Sequence, residues 1–433
     1  MRPTIHLAAT LVVVGLAAPL VGVERDEGAA LGVHGRSSQT PWAAALGDFV
    51  VVAFGAQTAE GKADVFVAVS RDGGRGFAAP VLVNGVEGDA RLGGELPPRV
   101  GLVARGGHDP EIVVAYGAKA EHTEIRVARS RDGGRTFAPA RALQADGAAG
   151  DRGWHALALD GRGVAHVLWL DHRGLAPPGN RAGKSPSQGP SHDHHMERDA
   201  IDGVATAMRS GLYYAREGEG SASERELVKG VCYCCKVAMA TTPSGGIYAA
   251  WRHVYAGNIR DIAFLASSDN GQHFGAPVRV SIDDWHLAGC PDDGPAMSVD
   301  GRGTAHVVWP TVLGGATPEG ALFYASSADG KAFTPRVRIP TLGSLKPMHP
   351  QVMSASTDRV LVAWDEVVDG VRQAAVRSLR FDEAGQPVFG AVHRLGSPDM
   401  PTSYPILVAT SRGTLAVYVE GKPGASVIRV TSL

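Results

Sequence analysis

All four cysteines of the chain fall in two places, Cys232-Tyr-Cys234-Cys235 and Gly289-Cys290-Pro291. Thiols in an oxidising compartment join as disulfides, and four of them allow three pairings. Thiolates with imidazoles beside them also suit copper or zinc, and His155, His349 and the run His192-Asp-His194-His195 are the nitrogen donors at hand. A mixed state fits the spacing equally: Cys290 bonded to one partner, with the other two thiols free or joined to each other. A second set of groups offers different chemistry. Arg99, Arg252 and Arg260 carry planar forks that match a planar anion, while Asp261, Glu366 and Tyr404 are ionisable groups in comparable loop positions.

These residues lie far apart in the chain, so only a fold that gathers distant loops makes them a site. A repeated turn supplies the clue. Residues 70–77 (Ser-Arg-Asp-Gly-Gly-Arg-Gly-Phe), 130–137 (Ser-Arg-Asp-Gly-Gly-Arg-Thr-Phe) and 267–274 (Ser-Ser-Asp-Asn-Gly-Gln-His-Phe) share one pattern, and 326–333 is a degraded copy. Ser and Asp oxygens accept hydrogen bonds from nearby backbone N–H groups, Gly takes the positive-φ position, and Phe anchors the tip on apolar surface. Asp72, Asp132 and Asp269 are therefore read as structural.

A longer unit recurs with the turn. Strands that end in an aromatic are expected at 49–54, 111–116, 165–169, 247–251, 305–309, 360–364 and 414–418. Each is preceded by a small-residue strand suited to a crowded axis, and each is followed by an alternating strand leading to the turn position. No helical period intervenes. The pattern predicts an all-β chain folded as a β-propeller, with seven blades favoured and six as the alternative. The expected organisation is a signal peptide over 1–23, an N-terminal segment over 24–39, and one propeller over 40–433. The last unit lacks an outer strand, so a stretch around 30–38 is expected to close the ring. A Gly/Pro/Ser/His-rich loop is expected at 171–210, with a short helix near 196–208.

In such a ring, loops that begin the innermost strands share one face with loops between the second and third strands. The repeated turns occupy the other. This sorting places Arg99, His155, the cysteines, Arg252, Arg260, Asp261, His349, Glu366 and Tyr404 around one axial mouth, the default site hypothesis.

The repeated turn resembles the Asp-box of bacterial neuraminidase repeats, Ser-x-Asp-x-Gly-x-x-aromatic. The stretch 231–309, with Cys-x-Cys-Cys, Arg260-Asp261-Ile262, Gly289-Cys290-Pro291 and Gly294-Pro295, resembles exported sialidase-like proteins. The resemblance implies a sialidase-like propeller and, in working sialidases, three arginines on the substrate carboxylate, a Tyr nucleophile activated by a carboxylate, and an Asp acid/base. Carried to this chain, the roles fall on Arg99, Arg252, Arg260, Tyr404, Glu366 and Asp261. The Arg-Ile-Pro motif of sialidases is missing, and Pro98-Arg99-Val resembles it only faintly. An Arg260–Asp261 ion pair that fixes a loop is the competing reading of those two residues. The function implied is binding or hydrolysis of acidic glycans; the alternative is a non-catalytic propeller that binds copper, zinc or a protein through its Cys/His rim. A sialidase-like mechanism requires no cofactor.

Composition limits the remaining classes. A formal net charge of −2 over 433 residues provides no basic field for a phosphate backbone, so nucleic acid is excluded as a partner. Arg2, the apolar run from Leu7 to Val23, Ala17, Ala18 and the polar turn at Glu24 form a signal-peptide pattern, which implies a periplasmic or secreted protein with no membrane span after cleavage. Asp292 and Asp293 offer oxygen ligands for calcium, but without EF-hand spacing. No phosphate-binding Gly loop, Gly-x-Ser-x-Gly elbow or His-Glu-x-x-His motif occurs.

Overall fold

The computed structural model describes residues 28–143, 149–175, 203–218, 224–287, 289, 291–314, 318–343, 346–356 and 358–433. The signal-peptide segment, the His192–His195 run and Cys290 lie outside the described residues.

Seven antiparallel sheets make up the fold. Blade 1 runs outward through Ser37–Leu46, Phe49–Gln57, Ala63–Ser70 and Val81–Leu82. Blade 4, which carries much of the candidate site, comprises Ala238–Thr241, Ile247–Arg252, Ile262–Ser267 and Val278–Arg279. The innermost strands of blades 2, 3, 5, 6 and 7 are Arg99–Val103, Arg152–Leu159, Ala296–Val299, Met348–Ser356 and Thr402–Thr410. Innermost strands of neighbouring blades touch all the way round, with the last one meeting the first. The molecule is thus a seven-bladed β-propeller.

The ring closes through Ala29–Leu31, which pairs antiparallel with Val427–Ser432 as the outer strand of blade 7. The stretch expected around 30–38 is divided between two jobs, because Ser37–Leu46 begins blade 1. A helix spans Gly203–Arg209.

Sequence dictates the layering. Middle strands are apolar on both sides because each lies between two neighbouring blades; Phe49–Gln57 is buried over its first eight residues. Val50, Val52 and Phe54 pack towards blade 7, whereas Val51 and Ala53 pack towards blade 2. Fully burying each such Val or Phe contributes about 1.5–3 kcal/mol, so the inter-blade layers dominate stability. Corresponding tryptophans, Trp169, Trp251, Trp309 and Trp364, are almost wholly buried within four middle strands, two of which run four residues past the tryptophan.

On one face the repeated turns close as their sequence requires. Ser70 Oγ donates to Asp72 Oδ1 at 2.7 Å, and the same carboxylate oxygen accepts from the Arg75 and Gly76 N–H groups at 3.0 Å each. Asp132 and Asp269 make the equivalent bonds. In the degraded copy Ser327, not Ser326, bonds Asp329, so that turn is one residue shorter.

Candidate functional site

Four innermost strands open with the same backbone device. Thr40, Trp154, His349 and Tyr404 adopt φ values of 48°, 54°, 50° and 51°, and each sits at a register shift in its strand. Non-glycine residues there cost of order 1 kcal/mol each, and such strain collects where surrounding structure enforces it. Three are followed by proline (Thr40-Pro41, His349-Pro350, Tyr404-Pro405), which fixes the exit into the strand. The kink frees backbone N–H groups at the axis, and buried carboxylates accept them. Asp293 Oδ2 accepts the His349 N–H at 3.1 Å, and Asp365 Oδ2 accepts the Tyr404 N–H at 2.8 Å.

Glu95 joins more distant blades. One of its oxygens accepts the N–H groups of Lys236 at 2.8 Å and Gly294 at 2.7 Å; the other takes the Lys236 ammonium at 3.1 Å. Lys236 Nζ also lies 3.4 Å from Asp293 Oδ1. His349 Nδ1 is 2.7 Å from Asp365 Oδ2, and Arg372 pairs with the remaining Asp365 oxygen. A chain of alternating charge, Glu95–Lys236–Asp293–His349–Asp365–Arg372, therefore crosses the axis.

Burial and neighbouring charges compete to set its protonation. It pushes the Asp293 carboxyl up to about 6, with Lys236 opposing and Glu95 reinforcing. For Lys236, burial is the largest influence and lowers it, but the charges of Glu95 and Asp293 outweigh that and raise it. His349 is likewise raised, burial being overcome by Asp365. Asp365 is lowered because the His349 and Arg372 charges exceed the cost of its burial.

Above this chain is a small depression of about 20 Å3, lined by Trp42, Gly94, Lys236, His349, Gln351 and Tyr404 among others. His349 and Tyr404 stack with ring centroids 4.0 Å apart. Gly94 makes room for the Tyr404 hydroxyl: a Cβ there would stand 2.4 Å from it.

The three arginines differ sharply. Arg252 donates from all three of its nitrogens to the carbonyls of Asp293, Arg260 and Pro310. Arg260 donates to the Leu287 carbonyl, the Asn258 side chain and Cys232 Sγ. Arg99 is 4% exposed and stacks 3.8 Å above the Trp42 ring, and only its Nε is engaged, by the His155 carbonyl at 3.0 Å. No described carboxylate hydrogen-bonds it, and burial pushes its guanidinium down to about 9 with the charge of Glu95 opposing. The three forks thus do not converge on one ligand position.

Tyr404 lies at the mouth, but its hydroxyl meets no described hydrogen-bond acceptor. Burial and the charges of Asp365 and Glu95 raise its pKa. Glu366 sits on the opposite side of its strand from Asp365, where it accepts the Trp364 indole N–H at 2.8 Å and the Leu342 N–H. The same arrangement recurs two residues after other blade tryptophans, in Trp169–Asp171 and Trp251–His253. Asp261 folds a loop: it pairs with Arg279, not Arg260, and accepts the N–H groups of Asp283, Asp284 and Trp285. His155 bonds the Ala115 carbonyl, and burial pushes it down to about 3, so it is neutral.

The sulfurs of Cys232, Cys234 and Cys235 form a triangle with sides of 3.8, 3.6 and 3.9 Å. Among the described residues this is the one cluster of three with the spacing of metal ligands, and neither His155 nor His349 belongs to it. Cys234 is disulfide-bonded, while Cys232 and Cys235 carry free thiols.

Sequence reasoning does not single out Glu95, Lys236, Asp365 or Arg372 as ligands or catalysts. A usable signal is present for one of them: Lys236 is a charged residue two positions before an apolar innermost strand, where no solvent is expected.

No family model matches the chain, and no curated protein matches it. Among solved structures it is similar to a PL25 ulvan lyase bound to -[GlcA(1-4)Rha3S]-, with 10% identity, 93% of this chain and 94% of the other covered, and a TM-score of 0.54. Polysaccharide lyase Uly1 aligns at 12% identity over 94% of this chain and 91% of the other, TM-score 0.51. The intramolecular trans-sialidase from Ruminococcus gnavus aligns at 11% identity over 92% and 95%, TM-score 0.46. What the likeness establishes is the architecture, a seven-bladed propeller shared with polysaccharide lyases.

Proposed function

We propose that the axial mouth recognises the acidic terminal residue of a saccharide, with Arg99 as its anion anchor. The observation that carries this reading is a guanidinium buried to 4% exposure with no carboxylate bonded to it, the Glu95 charge that reaches it being committed to Lys236 and Gly294, and stacked on Trp42 beside a strained, aromatic-walled depression. A buried cation left unpaired is costly, and an entering carboxylate or sulfate would supply its partner. Trp42 and Tyr404 offer apolar faces for a sugar ring, and the depression between them, about 20 Å3 as it stands, must widen to admit one. The acidic saccharide held by the ulvan lyase of similar fold agrees with this choice of ligand.

Hydrolysis through a Tyr nucleophile draws less support. Its base would have to reach the Tyr404 hydroxyl, yet Glu366 holds Trp364 and Asp365 holds a backbone N–H. Recognition without sialidase-type cleavage is therefore our reading, and the leader-like segment 1–23 supports a setting outside the cytoplasm.

Calorimetric titration with sialyllactose and a glucuronate-terminated disaccharide tests it, with lactose as the neutral control. The acidic sugars should bind, and Arg99→Gln should weaken them at least tenfold, as expected for loss of a charge-assisted contact. Equal binding of lactose, or undiminished binding by the variant, would overturn the proposal.

A further inference from the structure

We propose that Cys232 and Cys235 form a redox-active dithiol that exchanges with the disulfide of Cys234, making this corner of blade 4 a thiol–disulfide exchange centre with Cys234 as its outward port. The inference is independent of the saccharide reading. Free buried cysteines most often behave as small apolar side chains. Three observations separate this pair from that behaviour.

Proximity is the first. Cys232 and Cys235 stand at Cys-x-x-Cys spacing with sulfurs 3.6 Å apart, and each lies within 3.9 Å of the disulfide-bonded Cys234. A thiolate reaches a disulfide sulfur by direct attack, and these separations are close to van der Waals contact before any motion.

The second is a fixed guanidinium. Arg260 Nη1 donates to Cys232 Sγ at 3.1 Å, and its other donors are tied to Leu287 and Asn258, so the cation faces the sulfur with no described carboxylate competing. Burial raises the Cys232 thiol, yet the Cys235 hydrogen bond and the charges of Arg260 and Arg252 outweigh it and hold it down to about 6. Burial and the neighbouring Cys232 drive Cys235 the other way. One nucleophilic thiolate beside one resolving thiol is the division of labour that exchange requires.

Graded access is the third. Cys232 and Cys235 are each 1% exposed, whereas Cys234 is half-buried. An external thiol or disulfide therefore meets Cys234 first, and the buried pair holds two electrons behind it.

The steps balance without an outside oxidant. The Cys232 thiolate attacks Cys234 Sγ; a Cys232–Cys234 bond forms, the existing disulfide of Cys234 breaks, and its partner sulfur leaves as a thiolate and takes a proton. Cys235 then loses its proton to solvent and attacks Cys232. A Cys232–Cys235 bond forms, and Cys234 leaves as a thiolate. Two electrons and two protons have passed from the dithiol to the disulfide, and every step reverses.

The test is disulfide mapping of the full chain. Protein incubated anaerobically at pH 7.5 without added thiol is quenched in acid, alkylated, digested and analysed by mass spectrometry. Wild type should contain two isomers, one with Cys234 in a disulfide and one with Cys232 joined to Cys235. Cys235→Ser should accumulate the Cys232–Cys234 form, and Cys232→Ser should stay in a single isomer. Arg260→Gln should slow interchange about tenfold at neutral pH, because less Cys232 is ionised, and should move the midpoint of its pH profile upward. Should the cysteine variants not fold, the wild-type pH profile alone decides: interchange rising through a midpoint near 6 supports the proposal. One fixed isomer from pH 5 to 9 overturns it, as does stoichiometric copper or zinc that locks both thiols in protein as purified.

Discussion

The two faces of the propeller use carboxylates in opposite ways. On the turn face, Asp72, Asp132 and Asp269 bond groups two to four residues away. On the axial face, Glu95 ties together N–H groups 141 and 199 residues distant, Asp293 reaches 56 residues and Asp365 reaches 39. Local carboxylates make each turn independent of the others, whereas the axial ones make a single object of five blades. The turn face is modular, and the axial face is cooperative.

Removing one axial acid should do the most damage. Glu95→Ala leaves two buried N–H groups without their acceptor and a buried ammonium with Asp293 alone, and should lower stability by about 3–5 kcal/mol in urea unfolding. A loss below about 1 kcal/mol would mean that the axial chain does not hold the blades together.

Acid should then separate the faces by the sign of their slope. Asp293, pushed up to about 6 from its ordinary 3.8, takes its proton in the folded state first, so its contribution grows as pH falls from about 6 to about 4. The stability of wild type relative to Asp293→Asn should rise across that window by of order a few kcal/mol. Asp72 runs the other way: its hydrogen bonds, led by the Gly76 N–H, lower it, so its contribution is present above 3.8 and disappears as pH falls through the lowered folded value. The gap between wild type and Asp72→Asn should close in acid. Parallel slopes for the two pairs would remove the distinction.

Smaller effects sharpen modularity. Asp72→Ala should cost about 1 kcal/mol, comparable to the loss of a helix cap, and the same change at Asp132 should add to it without coupling. Non-additive losses in thermal melts would mean that the turns communicate through the blades between them.

The smallest expected change in stability belongs to Arg99. Arg99→Met removes a buried unpaired charge and keeps an apolar stem against Trp42, so it should be neutral or stabilising by up to about 1 kcal/mol while abolishing anion binding. A large destabilisation would make Arg99 a structural group like Arg252.

The difference in range also explains what could be read from the chain alone. The repeated turns are written in consecutive residues, as are the aromatic-ended strands, because each turn and hairpin closes on itself. Seven blades follow from counting them. The roles of Glu366 and Asp261 were not legible: a carboxylate near a tyrosine or arginine in sequence looks the same whether it faces that group or turns to an indole or a loop N–H. Strand alternation puts Asp365 and Glu366 on opposite sides, but which side meets the axis depends on the register shift at Met348 and Gln351.

Sequence by itself determined the ring and its repeated turns, because hairpin periodicity is a local property, and it named the thiols, arginines and Tyr404 as groups to be placed. Only tertiary structure decided which of those groups keep free donors or free thiols. That choice rests on partners up to 58 residues away, whose approach is set by how seven sheets pack around one axis rather than by any short stretch of chain.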